Sequence, residues 1–464
     1  RRVKEERRSR RRDKREADEA QLNATGIRRK REDPVYVTPR APAMLMGSAA
    51  GELPLSGGDE FTEAPDEAAA SDGPRVQDAR VCYVCKTEFF ELHHFYDQLC
   101  PPCAALNFDK REQTADLRGR IALVTGARVK IGYQAAIKLL RAGAEVLVVT
   151  RFPRDAARRF AREPDAGDWL ARLRVFGVDL RHTPSVERLC EHLRATLPRL
   201  DALINNACQT VRRPVGWYDH VIADERAPWA QLPAAERAVL AEHRALTDGA
   251  GALAPAEPVA AGGVWRSSVL AQVPLLAEDL ERGSHLYPQG RLDADLQQVD
   301  LREFNSWRMT LAEVPTAELL EVHLVNAVAP FVLNARLRPL LAAVPTRDAH
   351  VVNVSAMEGQ FYRRWKTDKH PHTNMAKAAL NMMTRTSAID YVRDGIHMNS
   401  VDTGWVTDED PQHHAQRKTR IHGFHPPLDI VDGAARIVDP VFDGVTTGRH
   451  LWGLFLKDYR PAPW

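Results

Sequence analysis

From Arg120 onward, short apolar runs alternate with longer stretches of helical period. This predicts strands at 121–125, 145–150, 175–179, 202–204, 350–354, 397–401 and 451–456, with helices between them. Strands alternating with helices are covered on both faces and pair in parallel, so the expected class over 119–464 is α/β with a doubly wound sheet. The segment 209–320 breaks the rhythm with a long mixture of Ala- and Pro-rich sequence and reads as a large insertion. Residues 1–40 are dominated by charge and predict a solvated helix or a disordered arm. Residues 41–78, rich in Ala, Gly, Pro, Glu and Asp without an apolar period, have linker composition. No internal repeat is visible.

A chain of 464 residues exceeds one ordinary core, so more than one folded unit is expected. Its 44% hydrophobic content is that of a soluble globular protein. No run of about 18 apolar residues occurs, so no membrane span is expected. The net charge of +2 conceals a basic start, RRVKEERRSRRRDKR, and a second basic cluster at 28–31. Nothing there resembles a secretory signal, which needs an apolar stretch. Arms of this kind can contact RNA phosphates or anchor a protein in a large assembly. Glu5, Glu6, Asp13, Glu16, Asp18 and Glu19 dilute that charge and equally suit a solvated helix.

The six cysteines are Cys82, Cys85, Cys100, Cys103, Cys190 and Cys208. The first four form two CxxC pairs separated by 14 residues, which predicts a small ribbon-like module over 79–110 holding one tetrahedral Zn²⁺. Four thiolates leave no open coordination place, so the site would be structural. His93 and His94 lie between the pairs as substitute ligands. Paired cysteines of this kind indicate a reducing intracellular compartment, cytoplasm or mitochondrial matrix, rather than a disulfide framework.

The strand at 121–125 runs into GARVKIG, from Gly126 to Gly132, and then a helix, the arrangement in which backbone amides and a helix N-terminus receive a pyrophosphate. Further motifs follow in order: Asp179 in VDLR; Asn205 and Asn206 in NNAC; Asn326 in VNAVAPF; Ser355 in NVSAMEG; Lys377 in AKAAL; Asn399 to Thr407 in NSVDTGWVT. Together they resemble the short-chain dehydrogenase/reductase family over about three quarters of the chain. The resemblance implies a Rossmann-type domain that binds NADP(H) or NAD. It assigns Gly126, Arg128, Lys130, Ile131, Gly132, Arg151, Asp179, Asn206, Lys377 and Thr407 to the cofactor. Lys130 replaces the middle glycine of the turn, Cys208 the glycine of NNAG and Thr403 a proline. Arg151 follows the second strand where an acidic residue would hold a ribose hydroxyl. With Arg128 and Lys130 it favours the 2′-phosphate of NADP(H).

The resemblance also implies catalysis by Ser355, Asn326 and Lys377, with a tyrosine four residues before the lysine. Here Thr373 occupies that position. A threonine hydroxyl is far too weak an acid for the role near neutral pH. Tyr362 and His372 are the replacement candidates, since a long loop follows Ser355; His370 also titrates in range. Trp217, Trp229, Trp265 and Trp307 suggest a small extra core in the insertion. Two readings follow. One is an NADP(H)-dependent oxidoreductase acting on a carbonyl or alcohol, paired as a homodimer through the helices of Asn326 and Lys377. The other is a catalytically silent pseudoenzyme, a subunit of a large complex such as a mitochondrial ribosome or another ribonucleoprotein.

Overall fold

The computed structural model describes residues 2–32, 73–248, 266–281, 283–293, 295–362, 366–411, 413–414, 417–418, 420 and 425–464. Most of the expected linker at 41–78 and Trp265 lie outside them. The described chain divides into two compact units.

The first unit contains helices α1 (Arg2–Asn23) and α2 (Gly26–Glu32), strands β1 (Arg75–Val81) and β2 (Glu88–Glu91), and helix α3 (Pro101–Glu112). β1 starts inside the segment with linker composition and pairs antiparallel with β2. The basic segment is therefore helical, and its second half is not merely solvated. Leu22 and Ile27 are buried with Phe89, Phe95, Tyr96 and Leu99, so the arm completes the core of the cysteine module. The Asp18 carboxylate accepts the backbone N–H groups of Gln77 and Asp78 at 2.7 and 3.0 Å, tying α1 to β1. Arg28 donates to Asp97 and Glu19 at 2.7 and 2.6 Å. A module this small has little apolar surface of its own, and the helix supplies what is missing.

The second unit is built on an eight-stranded sheet in the order β10-β9-β8-β7-β6-β3-β4-β5. The strands are β3 (Ile121–Thr125), β4 (Glu145–Thr150), β5 (Leu173–Gly177), β6 (Ala202–Asn205), β7 (Ala349–Ser355), β8 (Ile396–Asp402), β9 (Phe455–Lys457) and β10 (Arg460–Ala462). All neighbours are parallel except the antiparallel pair β9–β10 at the edge. β3 and β7 are buried at every position; β3 reads as a nearly unbroken apolar run, whereas β7 also buries His350, Asn353 and Ser355. The expected strand at 451–456 is shorter, because Gly453 adopts a positive φ and keeps the preceding residues in a turn.

Between the strands run α4 (Lys130–Arg141), α5 (Pro153–Ala161), α6 (Ala166–Trp169) and α7 (Thr183–Thr196). The insertion contributes α8 (Asp219–Arg226), α9 (Ala234–Asp248) and α10 (Ser267–Leu270). α11 (Thr316–His323) continues through a π-helical turn into α12 (Ala329–Ala342), and α13 (Pro371–Tyr391) and α14 (Ile430–Thr447) follow. The continuous helix Thr316–Ala342 is long and apolar enough on average to cross a membrane, although it contains no unbroken run of 18 apolar residues. Here Leu333, Leu337 and Leu341 are fully buried among sheet residues, so its apolarity is used in the domain core. Two cores sit on the faces of the sheet, and Trp217, Tyr218, Val221 and Ile222 of the insertion form a third with Phe152.

Candidate functional site

The strand order reverses direction between β3 and β6, and ligands of open α/β sheets bind at such a switch point, outside the carboxyl ends of the strands. Gly126 and Asn206 lie at those ends. Gly126 has φ +69°, and a Cβ there would stand 2.7 Å from Ala207 Cα. A Cβ on Gly132 would stand 2.2 Å from Asn206 Nδ2. That amide donates to the carbonyls of Thr125 and Gly126 at 3.0 and 3.2 Å, while Thr125 Oγ1 accepts from Ala207 N at 3.0 Å. The two turns are thus fastened together, and only glycine leaves room at both positions. Lys130 holds the left-handed conformation, φ +56°, at the place of the middle glycine.

The cations expected to meet a 2′-phosphate are engaged within the protein. Arg128 is buried and donates to Asp155 Oδ2 at 2.6 Å and to Gln297 Oε1 at 2.7 Å. Lys130 lies 4.0 Å from Glu409, which Thr407 also binds through its hydroxyl at 2.7 Å. Burial alone would raise the Glu409 carboxyl, but the Lys130 ammonium holds it below the ordinary range. Arg151 donates to Tyr218 Oη at 2.7 Å and lies over that ring. Gln297 and Tyr218 belong to the insertion, which therefore packs against the nucleotide turn. Arg159 adds to this by donating to the carbonyls of Asp295 and Leu296. Asp179 is 1% exposed; burial would raise its carboxyl, yet paired Arg181 holds it low. Ile131 packs against the core beside α14.

Toward the catalytic side, Lys377 is buried and its Nζ donates to Val354 O at 2.7 Å, which brings α13 against the end of β7 where Ser355 stands. Thr373, one turn earlier, is 1% exposed. Asn326 lies in the π-helical turn Leu324–Val328, and its amide is closed on the backbone of Gln209 by two bonds of 2.7 and 3.1 Å. His372 is buried with Nε2 3.7 Å from Glu318 Oε1. His370 is left-handed, stacks on Trp307 at 3.9 Å, and burial lowers its pKa. Tyr362 is 48% exposed, and its hydroxyl contacts Met357 Sδ at 3.9 Å rather than Ser355 or Lys377. The loop does not fold this tyrosine inward.

The hydroxyls of Ser355 and Thr373 and both ring nitrogens of His372 are buried without a hydrogen-bond partner. Buried polar atoms are nearly always satisfied, so these hydroxyls and ring nitrogens are candidates for contact with a bound polar group. Sequence reasoning missed Glu318, Gln297 and Glu409, whose partners lie far away in the chain. Cys208 is exposed and Cys190 buried.

In the first unit the sulfurs of Cys82, Cys85, Cys100 and Cys103 lie within 4.8 Å of one another, with Cys85 and Cys100 at 3.5 Å. Tetrahedral thiolates at 2.3 Å from Zn²⁺ would be about 3.8 Å apart, so the spacing suits that ion.

A short chain dehydrogenase model matches residues 120–222, and an enoyl-(acyl carrier protein) reductase model matches residues 302–424. An uncharacterized protein of Acanthamoeba polyphaga mimivirus, R665, is 31% identical over 374 residues, covering 78% of this chain and 71% of its own. The human dehydrogenase/reductase SDR family member 13 is 34% identical over 108 residues, 23% of this chain and 26% of that protein. The chain thus spans only about a quarter of the length of this named relative. A short chain dehydrogenase from Burkholderia cenocepacia, solved in complex with NADP, aligns with TM-score 0.45 and 17% identity over 74% of this chain and 96% of its own.

Proposed function

Because the chain belongs to the short-chain dehydrogenase/reductase family, we propose that it binds NADP(H) at the Gly126–Gly132 turn and acts as an oxidoreductase on a carbonyl/alcohol pair. The proton is handled by the His372–Glu318 pair in place of a tyrosine. The carrying observation is that pair: two buried side chains 3.7 Å apart, with both imidazole nitrogens without a hydrogen-bond partner. When bound, the dinucleotide supplies the hydride. Lys377, held at the strand end, has further N–H donors for the ribose hydroxyls, and Ser355 Oγ can donate to a substrate carbonyl oxygen. Gly126, Ile131, Gly132, Asp179, Asn206 and Thr407 shape the cleft, while Arg128, Lys130 and Arg151 would have to leave Asp155, Glu409 and Tyr218 in part to meet a 2′-phosphate. Asn326 acts as a positioning residue through Gln209.

Turnover of NADPH with a panel of carbonyl compounds tests this reading. His372→Gln should lower kcat at least 100-fold and flatten its pH profile while leaving dinucleotide affinity within about threefold. That loss corresponds to roughly 3 kcal/mol of transition-state stabilisation. Lys377→Ala should weaken dinucleotide binding as well. Calorimetry that detects no affinity for NADPH would sink the proposal.

The second reading, a catalytically silent subunit of a larger assembly, is favoured by the non-acidic Thr373 and by the internal pairing of Arg128 and Lys130. Dinucleotide binding without turnover would select it. Arg7, Arg8, Arg10, Arg11 and Arg12 are exposed on α1 and offer a basic face to an acidic partner or RNA. Deleting residues 1–32 should then release the chain from fast-sedimenting fractions. Exposed Phe331, Met375, Met382 and Ile389 on α12 and α13 support pairing of two copies through those helices, which sedimentation of the purified chain checks. The four cysteines of the first unit hold a structural Zn²⁺ in this proposal, in a chain that works in a reducing compartment.

A further inference from the structure

Away from the nucleotide cleft, three histidines converge where neither family motifs nor cysteine pairs direct attention. His350 stands at the start of β7 and His397 at the start of β8, directly paired across the two parallel strands. His450 follows the end of α14. The cleft lies at the carboxyl ends of these strands, so this cluster sits at the opposite end of the sheet. One ligating nitrogen from each ring falls within 4.8 Å of the others. Ring centroids are 5.5, 5.1 and 4.7 Å apart, and His350 Nε2 is 3.0 Å from His450 Nδ1.

At 3.0 Å the His350 and His450 ring nitrogens share one proton as an N–H···N hydrogen bond, which a metal ion held by both would replace. The neighbouring backbone is also cut away to permit it: a Cβ on Gly444 would stand 2.6 Å from His450 Nδ1 and 3.0 Å from His350 Nε2. His350 is 1% exposed, and its Nδ1 has no hydrogen-bond partner.

We propose that His350, His397 and His450 form a second metal site, for a first-row divalent ion of the zinc class, independent of the four cysteines. Two imidazoles on one tetrahedral Zn²⁺ place their nitrogens roughly 3.3 Å apart, so the 3.0 Å pair needs only a small shift. The outer contacts suit ligation. His397 Nδ1 lies 3.3 Å from Ala349 O, and a donated N–H there fixes the tautomer that presents Nε2 to the ion. His350 and Asp201 line a cavity of about 10 Å³, the size of one water; neither His350 Nδ1 nor Asp201 Oδ1 has a hydrogen-bond partner, and Asp201 Oδ1 lies 3.6 Å from Arg120 Nη1. The cavity has room for one water that would link the His350 N–H to the Asp201 carboxylate, the support that metal-bound imidazoles usually have. Asp348 also lies near the rings, paired with Arg120 at 2.7 Å. Three protein ligands leave one coordination place for water or an anion, unlike the closed four-cysteine site.

Cobalt(II) titration of the metal-stripped full-length chain tests the proposal, with absorption bands of sulfur and nitrogen coordination read separately. The expected result is one equivalent with thiolate charge-transfer bands and a second with ligand-field bands alone. His397→Gln should abolish only the second, and Cys100→Ser should disrupt only the first. His450→Cys should keep the second equivalent and add a sulfur band to it. Should the wild-type chain show no cobalt equivalent free of sulfur bands, or should His397→Gln leave that equivalent in place, the site does not exist. The two classes of band separate this outcome from failure of the cysteine site.

Discussion

Gly132→Ala probes the joint between the two turns that frame the nucleotide cleft. The added Cβ would stand 2.2 Å from Asn206 Nδ2 and 2.6 Å from Gly126 O. Asn206 must swing away, losing two hydrogen bonds to Thr125 and Gly126 worth about 1 kcal/mol each. Overpacking against the Gly126 carbonyl costs about 2 kcal/mol more. Alanine recovers about 1 kcal/mol of helix propensity, since Gly132 is the third residue of α4. The net loss is therefore about 3 kcal/mol. Urea unfolding followed by tryptophan fluorescence reads it, because Trp169 is buried against Phe160 in the same core. In an Asn206→Ala background the clash with the amide vanishes and only the carbonyl contact remains. The same substitution should then cost about 1 kcal/mol, a coupling of about 2 kcal/mol. Equal costs in the two backgrounds would show that Asn206 does not limit the space at Gly132, and the account of this joint would fail.

Two further outcomes are expected. Burial pushes the Asp402 carboxyl up to about 6 from 3.8, against the opposing ammonium of Lys457 at 3.8 Å. Because the folded pKa lies above the unfolded one, the folded chain holds the extra proton. Stability from this group is full below about pH 4 and falls as pH rises through 6, by up to about 3 kcal/mol. Asp402→Asn should therefore melt higher than wild type at pH 8, with the gap closing toward pH 4; a pH-independent difference would contradict this. Asp18→Ala removes an acceptor shared by two strand amides and should destabilise the first unit by about 2–3 kcal/mol. Hydrogen exchange in α1 and at Gln77 and Asp78 should accelerate together; protection unchanged at Gln77 would refute the tie.

Local signals carried much of the fold. β3 and β4 coincide with the apolar runs that predicted them, since a strand covered on both faces is mostly apolar. The Gly126–Gly132 turn and the cysteine pairs were legible because their parts are close in the chain and their geometry requires particular residue types. Lys377 and Ser355 were placed by resemblance, and α13 does bring the lysine to the end of β7. Long-range partners were not legible. Arg128, Lys130 and Arg151 read as free cations, yet Asp155, Glu409 and Tyr218 engage them across the fold.

The sequence alone determined the alternation of strands and helices, the glycine turn, the cysteine spacing and the presence of threonine four residues before Lys377, because each is written within a few consecutive residues. Tertiary structure decided the rest. It packed the basic helix into the cysteine module, left Tyr362 at the surface, paired His372 with Glu318, and gathered His350, His397 and His450. Contacts between residues dozens to a hundred positions apart depend on strand order and register, which no local pattern encodes.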